Sequence, residues 1–179
     1  FACQQWPLLC LPSSREIIAA ITRGSLCFLS EAEYAAKYSG ERPLLSLTVQ
    51  QPGDVPIIRH KVDELLRKKV PHWQGLARKK ALVALSEAIT NVVLHTPGGR
   101  VLVYLDACGP SFHVQDQGPG LKLGRRPHLL FTRGFSTTGS LGAGFHLMIN
   151  CLDKLVVSTS EQGTKLVLYP AGLGVEQCV

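Results

Sequence analysis

Glu87, Asn91 and His95 stand four residues apart in the run Glu-Ala-Ile-Thr-Asn-Val-Val-Leu-His. An α-helix turns by about 100° per residue, so the three share one slowly drifting face. A carboxylate and a carboxamide oxygen one turn apart suit a hard cation such as Mg²⁺, which takes one or two ligands from protein and completes its octahedron with water and substrate phosphates. A solvated polar strip on an amphipathic helix has the same pattern. Downstream, Phe112-His-Val-Gln115 alternates like a half-buried strand and runs into Asp116-Gln-Gly-Pro-Gly120. An acid at a strand end, followed by glycines that let the backbone bend away, can project a carboxylate into a pocket. When ionised it offers acceptors and no donors, which suits an exocyclic amine such as that of adenine. An ordinary turn uses the same residue types.

A third stretch, Gly134-Phe-Ser-Thr-Thr-Gly-Ser-Leu-Gly-Ala-Gly144, follows Arg133 and leads into the apolar-periodic segment Phe145 to Leu152. Glycines let backbone amides approach an anion, and the first amides of a helix have no internal partners, so this junction suits phosphate. A surface loop would also be rich in Gly and Ser. Each signal has a bland reading, but three in a fixed order point to a nucleotide site.

The elements that must position these residues follow from periodicity. The spacing predicts strands over Leu45 to Gln50, Arg100 to Asp106, Ser111 to Asp116, Leu155 to Thr159 and Lys165 to Tyr169. It predicts helices over Val55 to Val70, with Asp54 as N-cap and Pro56 in the first turn, over Leu76 to His95, and over Gly144 to Leu152. This order implies an α+β sandwich: a mixed, mostly antiparallel sheet with helices on one face and the nucleotide held between helices and lid. Residues 1–42 read as an N-terminal extension, either a docking arm or a remnant of something larger. Within it, Ile17 to Ile21 fits a helix or a strand, and Ser30-Glu-Ala-Glu33 has the form of a capping box. The domain proper is expected over 43–172, with a tail at 173–179.

With these motifs in place, the chain resembles the GHKL, or histidine-kinase-like, ATPase superfamily, and within it the small anti-sigma-factor serine kinases. Ser86-Glu-Ala-Ile-Thr-Asn91 through His95 is similar to their N box, and Asp116-Gln-Gly-Pro-Gly120 to their first glycine box. Phe131-Thr-Arg-Gly through Gly142-Ala-Gly144 is similar to their lid and second glycine box, and Gly163-Thr164 to their last conserved element. The likeness runs from about Leu44 to Pro170 and implies a Bergerat-type two-layer α/β sandwich. It also implies ATP or ADP with Mg²⁺ as cofactors.

Carried over by position, the resemblance implies Glu87 as the base that orients or deprotonates the attacking hydroxyl, Asn91 as the Mg²⁺ ligand and Asp116 as the adenine contact. Gly118 and Gly120 would wall the base. Arg133, Ser136, Thr137, Gly142, Ala143 and Gly144 would meet the phosphates, and Thr164 would support the adenine side. Arg59 would touch the partner, although a solvated arginine on a basic helix has the same look. The activity implied is a serine/threonine protein kinase acting on a small antagonist of the STAS type, with a sigma factor as further partner and a homodimer as an allowed assembly. The competing reading is a module that binds ATP or ADP and uses it only to set which regulator it captures. Phosphoryl transfer needs mainly positioning, charge stabilisation and a group that orients the nucleophile, so the joint presence of Glu87 and Asn91 favours the kinase.

Composition fits one globular domain: 179 residues, 45% hydrophobic and 18% charged. No apolar run approaches the ~20 residues of a membrane span. A formal charge of +6 suits acidic ligands, ATP among them. Its basic residues form short scattered clusters with neither zinc-finger spacing nor an RNA-binding aromatic motif, which argues against direct nucleic-acid binding. Six cysteines show no CxxC pair. Cys108 and Cys151 read as small hydrophobes, and a reducing cytoplasm is the expected compartment.

Overall fold

The computed structural model describes residues 18, 20, 22–40, 42–121 and 141–172. Six strands form one sheet: β1 (Leu26–Phe28), β2 (Leu45–Val49), β3 (Gly99–Asp106), β4 (Gly109–Asp116), β5 (Leu152–Ser160) and β6 (Gly163–Pro170). Their spatial order is β1-β5-β6-β4-β3-β2. Only β1 with β5 is parallel among these pairs, so the sheet is mixed and mostly antiparallel, as expected. Among the described residues four helices accompany it: α1 (Glu31–Tyr38), α2 (Asp54–Lys69), α3 (Gly75–His95) and α4 (Leu141–Cys151).

Strand alternation decides which residues face the large helices. Val101 and Val103 of β3, Phe112 and Val114 of β4, Leu155 and Val157 of β5, and Leu166 and Leu168 of β6 all enter one core. That core is closed by Ile58, Val62 and Leu66 of α2, by Leu85, Ile89 and Val92 of α3, and by Phe145 and Met148 of α4. Ala81, Ala84 and Ala88 lie on the buried side of α3, where small side chains let this helix sit close to its neighbours. An ion pair from Asp63 of α2 to Arg78 of α3, 3.2 Å, ties the two helices at their surface.

Two local details differ from the sequence expectation. Asp54 is the first residue of α2 and Gly53 holds the N-cap position. The Asp54 carboxylate instead accepts the amides of Gln50 and Gln51 at 2.8 and 3.0 Å, closing the turn ahead of the helix, and these bonds hold its pKa below the usual carboxylate value. Cys108, expected as a small hydrophobe, is disulfide-bonded, whereas Cys151 is free and buried. No helix among the described residues is long and apolar enough to cross a membrane.

Part of the 1–42 stretch also joins the fold. β1 extends the sheet beside β5, and α1 packs on the sheet face opposite the other helices, with Tyr34 against Val156 and Val167. The capping box read from Ser30 and Glu33 is present: the Glu33 amide donates to Ser30 Oγ at 3.2 Å, and the Ser30 amide donates to Glu33 Oε2 at 2.6 Å. Beneath α1 lies His113, 2% exposed, with Nδ1 3.1 Å from the Tyr34 hydroxyl and the Tyr104 ring 4.5 Å away.

Burial disfavours the imidazolium and pulls the His113 pKa from 6.5 down to about 4. Above pH 6.5 the group is neutral in folded and unfolded chains and costs nothing. As pH falls below 6.5 the unfolded chain takes up the proton first, so stability drops until about pH 4, a loss on the order of 3 kcal/mol. Thermal melts between pH 7 and pH 4.5 should show this decline, and His113→Phe should flatten it; an unchanged slope in the variant would refute the assignment.

Candidate functional site

The site is built where β4 and β6 start and end side by side. Alternation along β4 places Phe112, Val114 and Asp116 on the helix-covered side. Asp116 Oδ1 accepts the Gly118 amide at 2.8 Å and the Thr164 amide at 3.1 Å. Burial raises the Asp116 pKa, and the two amide bonds pull against that rise. One carboxylate oxygen is thereby held by two backbone amides.

The glycines beside it are set by contact. At Gly118 a Cβ would meet Thr96 Cγ2 at 2.6 Å. Gly120 has φ +71° and its missing Cβ would run into the Ser160 carbonyl, while at Gly163, φ +142°, it would run into the carbonyl of Asp116. Such backbone angles favour glycine, and the close approach locks the Gly118–Leu121 turn onto the β5–β6 hairpin. Thr159 completes the lock: its hydroxyl accepts the Leu121 amide at 2.8 Å and lies 3.2 Å from the Thr164 hydroxyl.

These residues open into a cavity of about 340 Å³ whose lining includes Asn91, His95, Asp116, Gly120 and Thr164. Val92, Val114, Phe145 and Leu166 supply apolar walls. Apolar walls with a few convergent polar groups are the usual make-up of a small-molecule site.

Where the far end of the site meets α4, the glycines are drawn into the helix. The sequence pattern starts this helix at Gly144; the structure starts it at Leu141, so Gly142, Ala143 and Gly144 form its first turn. Backbone amides of a first turn lack intrahelical acceptors, and the glycines stand inside this helix start instead of ahead of it. Gly144 is buried, and a Cβ there would lie 3.3 Å from Glu87 Oε2 and 3.7 Å from Asn91 Nδ2. Asn91 Nδ2 is itself buried with no hydrogen-bond partner among the described residues, which leaves this N–H donor for a phosphate oxygen or a water, while a cation would take the Oδ1 of the same carboxamide. The donor set fits Mg²⁺, which needs few protein ligands.

The structure thus brings together Glu87, Asn91 and Gly144 as one cluster and Asp116, Gly118, Gly120 and Thr164 as another, with Asn91 and Asp116 in the lining of one cavity. Arg133, Ser136 and Thr137 lie outside the described residues. Arg59 is exposed on α2 and lies outside the cavity lining. Thr159 and Thr96 are contributors that the sequence reading missed. The signal for Thr159 was present in the Gln162-Gly163 turn, whose register sets Thr159 opposite Thr164.

A family model described as "Histidine kinase-, DNA gyrase B-, and HSP90-like ATPase" matches residues 78–171. The chain belongs to this family. No curated protein matches the chain. The match begins in α3 and ends just after β6, so the ATPase domain contains both clusters and every described strand of the site. Domains of this GHKL type bind ATP or ADP, usually with Mg²⁺.

The packing of the base-side turn makes a sharp prediction for the ATPase. Gly120→Ala should cost more than about 2 kcal/mol, since it combines a left-handed backbone with a clash against a fixed carbonyl. Gly53→Ala, with φ −64° and nothing within 4 Å of the new methyl, should leave denaturant midpoints within about 0.5 kcal/mol of wild type. Equal effects at the two positions would refute the packing described.

Proposed function

We propose that this protein is an ATP-dependent serine/threonine protein kinase of the anti-sigma or switch-kinase type, which transfers the ATP γ-phosphate to a small STAS-type antagonist and regulates transcription by switching partners. The observation that carries the reading is the convergence of Glu87 and Asn91 on Gly144 in the first turn of α4. It sets a carboxylate, a carboxamide and helix-start amides around one point, the groups that phosphoryl transfer needs for positioning and charge stabilisation.

Each residue then has a task. The outward oxygen of Asp116 accepts the adenine amine, while Gly118, Gly120 and Thr164 hold the carboxylate and wall the base. The first-turn amides of α4, from Gly142, Ala143 and Gly144, receive phosphate oxygens, joined by Arg133, Ser136 and Thr137. Asn91 holds Mg²⁺, which when bound neutralises phosphate charge. Glu87 orients the incoming hydroxyl and takes its proton. Arg59 on the exposed face of α2 contacts the protein partner, and a sigma factor is the second partner of the switch.

Incubation with γ-labelled ATP and candidate antagonist proteins tests this. Glu87→Ala should lose label transfer by about 10²-fold or more while retaining nucleotide affinity, and Asn91→Ala should lose Mg²⁺-dependent affinity. Tight, nucleotide-dependent partner binding with no transfer to any partner would instead establish the non-catalytic module. Asp116→Asn, which places a donor where the adenine amine needs an acceptor, should weaken ATP binding by about tenfold or more; unchanged calorimetric affinity would remove adenine from the cavity.

A further inference from the structure

Alternation that turns Asp116 and Thr164 toward the nucleotide side turns their neighbours the opposite way. The pairing register sets Thr48 against Arg100, Arg100 against Gln115, Gln115 against Lys165, and Lys165 against Ser158. These residues form one row across five strands on the face away from α2, α3 and α4. α1 covers this face only in part. At the rim beyond its first turn lies an open cavity of about 560 Å³, lined by Glu31, Arg100, Gln115, Gln117, Gln162 and Lys165 among others. Asp116 reaches its lining too, so the two cavities stand back to back.

The chemistry of the row is cationic and amide-rich. Lys165 Nζ is 3.4 Å from Glu31 Oε1, so one cation already holds a carboxylate, supplied by the first turn of α1. Arg100 is exposed and has no ion pair among the described residues. Its backbone lies two strands from that of Lys165, roughly 10 Å at the usual strand spacing, and the ion pair of Glu31 is made with Lys165. A guanidinium presents paired donors matched to a carboxylate. The side-chain amides of Gln117 and Gln162 each offer a donor and an acceptor, the complement of a peptide backbone.

We infer that this outer-face cavity binds an acidic, extended segment of a protein partner, with Arg100 taking one carboxylate and Lys165 able to exchange Glu31 for a second. Carboxylate-bearing residues two apart in an extended chain are spaced by about 7 Å, which with their side chains spans the two cations. The inference does not depend on the kinase reading, because it concerns the opposite face of the sheet and is tested without nucleotide.

The test uses the full chain and a fluorescein-labelled peptide of alternating Glu and Ser, with a Gln-for-Glu version as the neutral control, followed by anisotropy. The acidic peptide should bind saturably and the neutral one should not. Arg100→Gln should weaken binding about tenfold with an unchanged melting temperature, whereas Lys68→Gln, which removes the same charge from the exposed side of α2, should leave it unchanged. Glu31→Gln should tighten binding severalfold by releasing Lys165, an effect opposite in sign to that of a merely damaged fold. The inference is overturned if the acidic peptide fails to saturate, if Lys68→Gln and Arg100→Gln weaken it equally, or if free glutarate binds as tightly as the peptide.

Discussion

A single carboxylate oxygen, Asp116 Oδ1, accepts amides from two separate stretches, Gly118 in the turn after β4 and Thr164 at the start of β6. The second of these bonds joins residues 48 positions apart in the chain. Around that junction the turn can approach the hairpin only because Gly118, Gly120 and Gly163 carry no Cβ. Buried carboxylates are costly unless their oxygens are satisfied, so the amides both stabilise the charge and fix its direction. The same turn packs on the end of α3, where a Cβ at Gly118 would meet Thr96.

The second cluster depends on a different constraint, the close approach of two helices. α3 brings Glu87 and Asn91 to within contact of Gly144 on α4. A Cβ at Gly144 would enter the space beside the Glu87 carboxylate and the Asn91 carboxamide. Small residues on the buried side of α3 allow this approach, and the large core side chains Phe145 and Met148 of α4 hold it. The hairpin cluster and the helix-pair cluster therefore belong to different packing problems, and Asp116 of the one and Asn91 of the other share the lining of one cavity.

The pleat then divides one rim of the sheet between two chemistries. Thr159, Thr164 and Asp116 face the nucleotide side, while the neighbouring rung of Ser158, Lys165, Gln115, Arg100 and Thr48 faces outward. A one-residue register slip would exchange the two sets. The apolar partners Val114 and Leu166, buried in the same core, hold that register. The polar groups on both faces are thus fixed by the same hydrophobic alternation that builds the core.

Much of this was legible in the chain. Glu87 and Asn91 at helical spacing and Asp116 at a strand end are local patterns that periodicity alone assigned to their elements, whereas the helix at the glycines starts at Leu141, ahead of its apolar pattern. The capping box at Ser30 was equally local. What periodicity could not supply was β1, three residues long with no alternation to read, or the packing of α1 on the second face, which rests on Tyr34 and His113 meeting across 79 positions. Nor could it give Thr159 its place under the base-side turn, or show Arg100, Gln115 and Lys165 as one row. Helical and strand periods are properties of neighbours in sequence; which strand lies beside which, and what a turn packs against, depends on closing long loops around a shared core, and only the folded chain decides that.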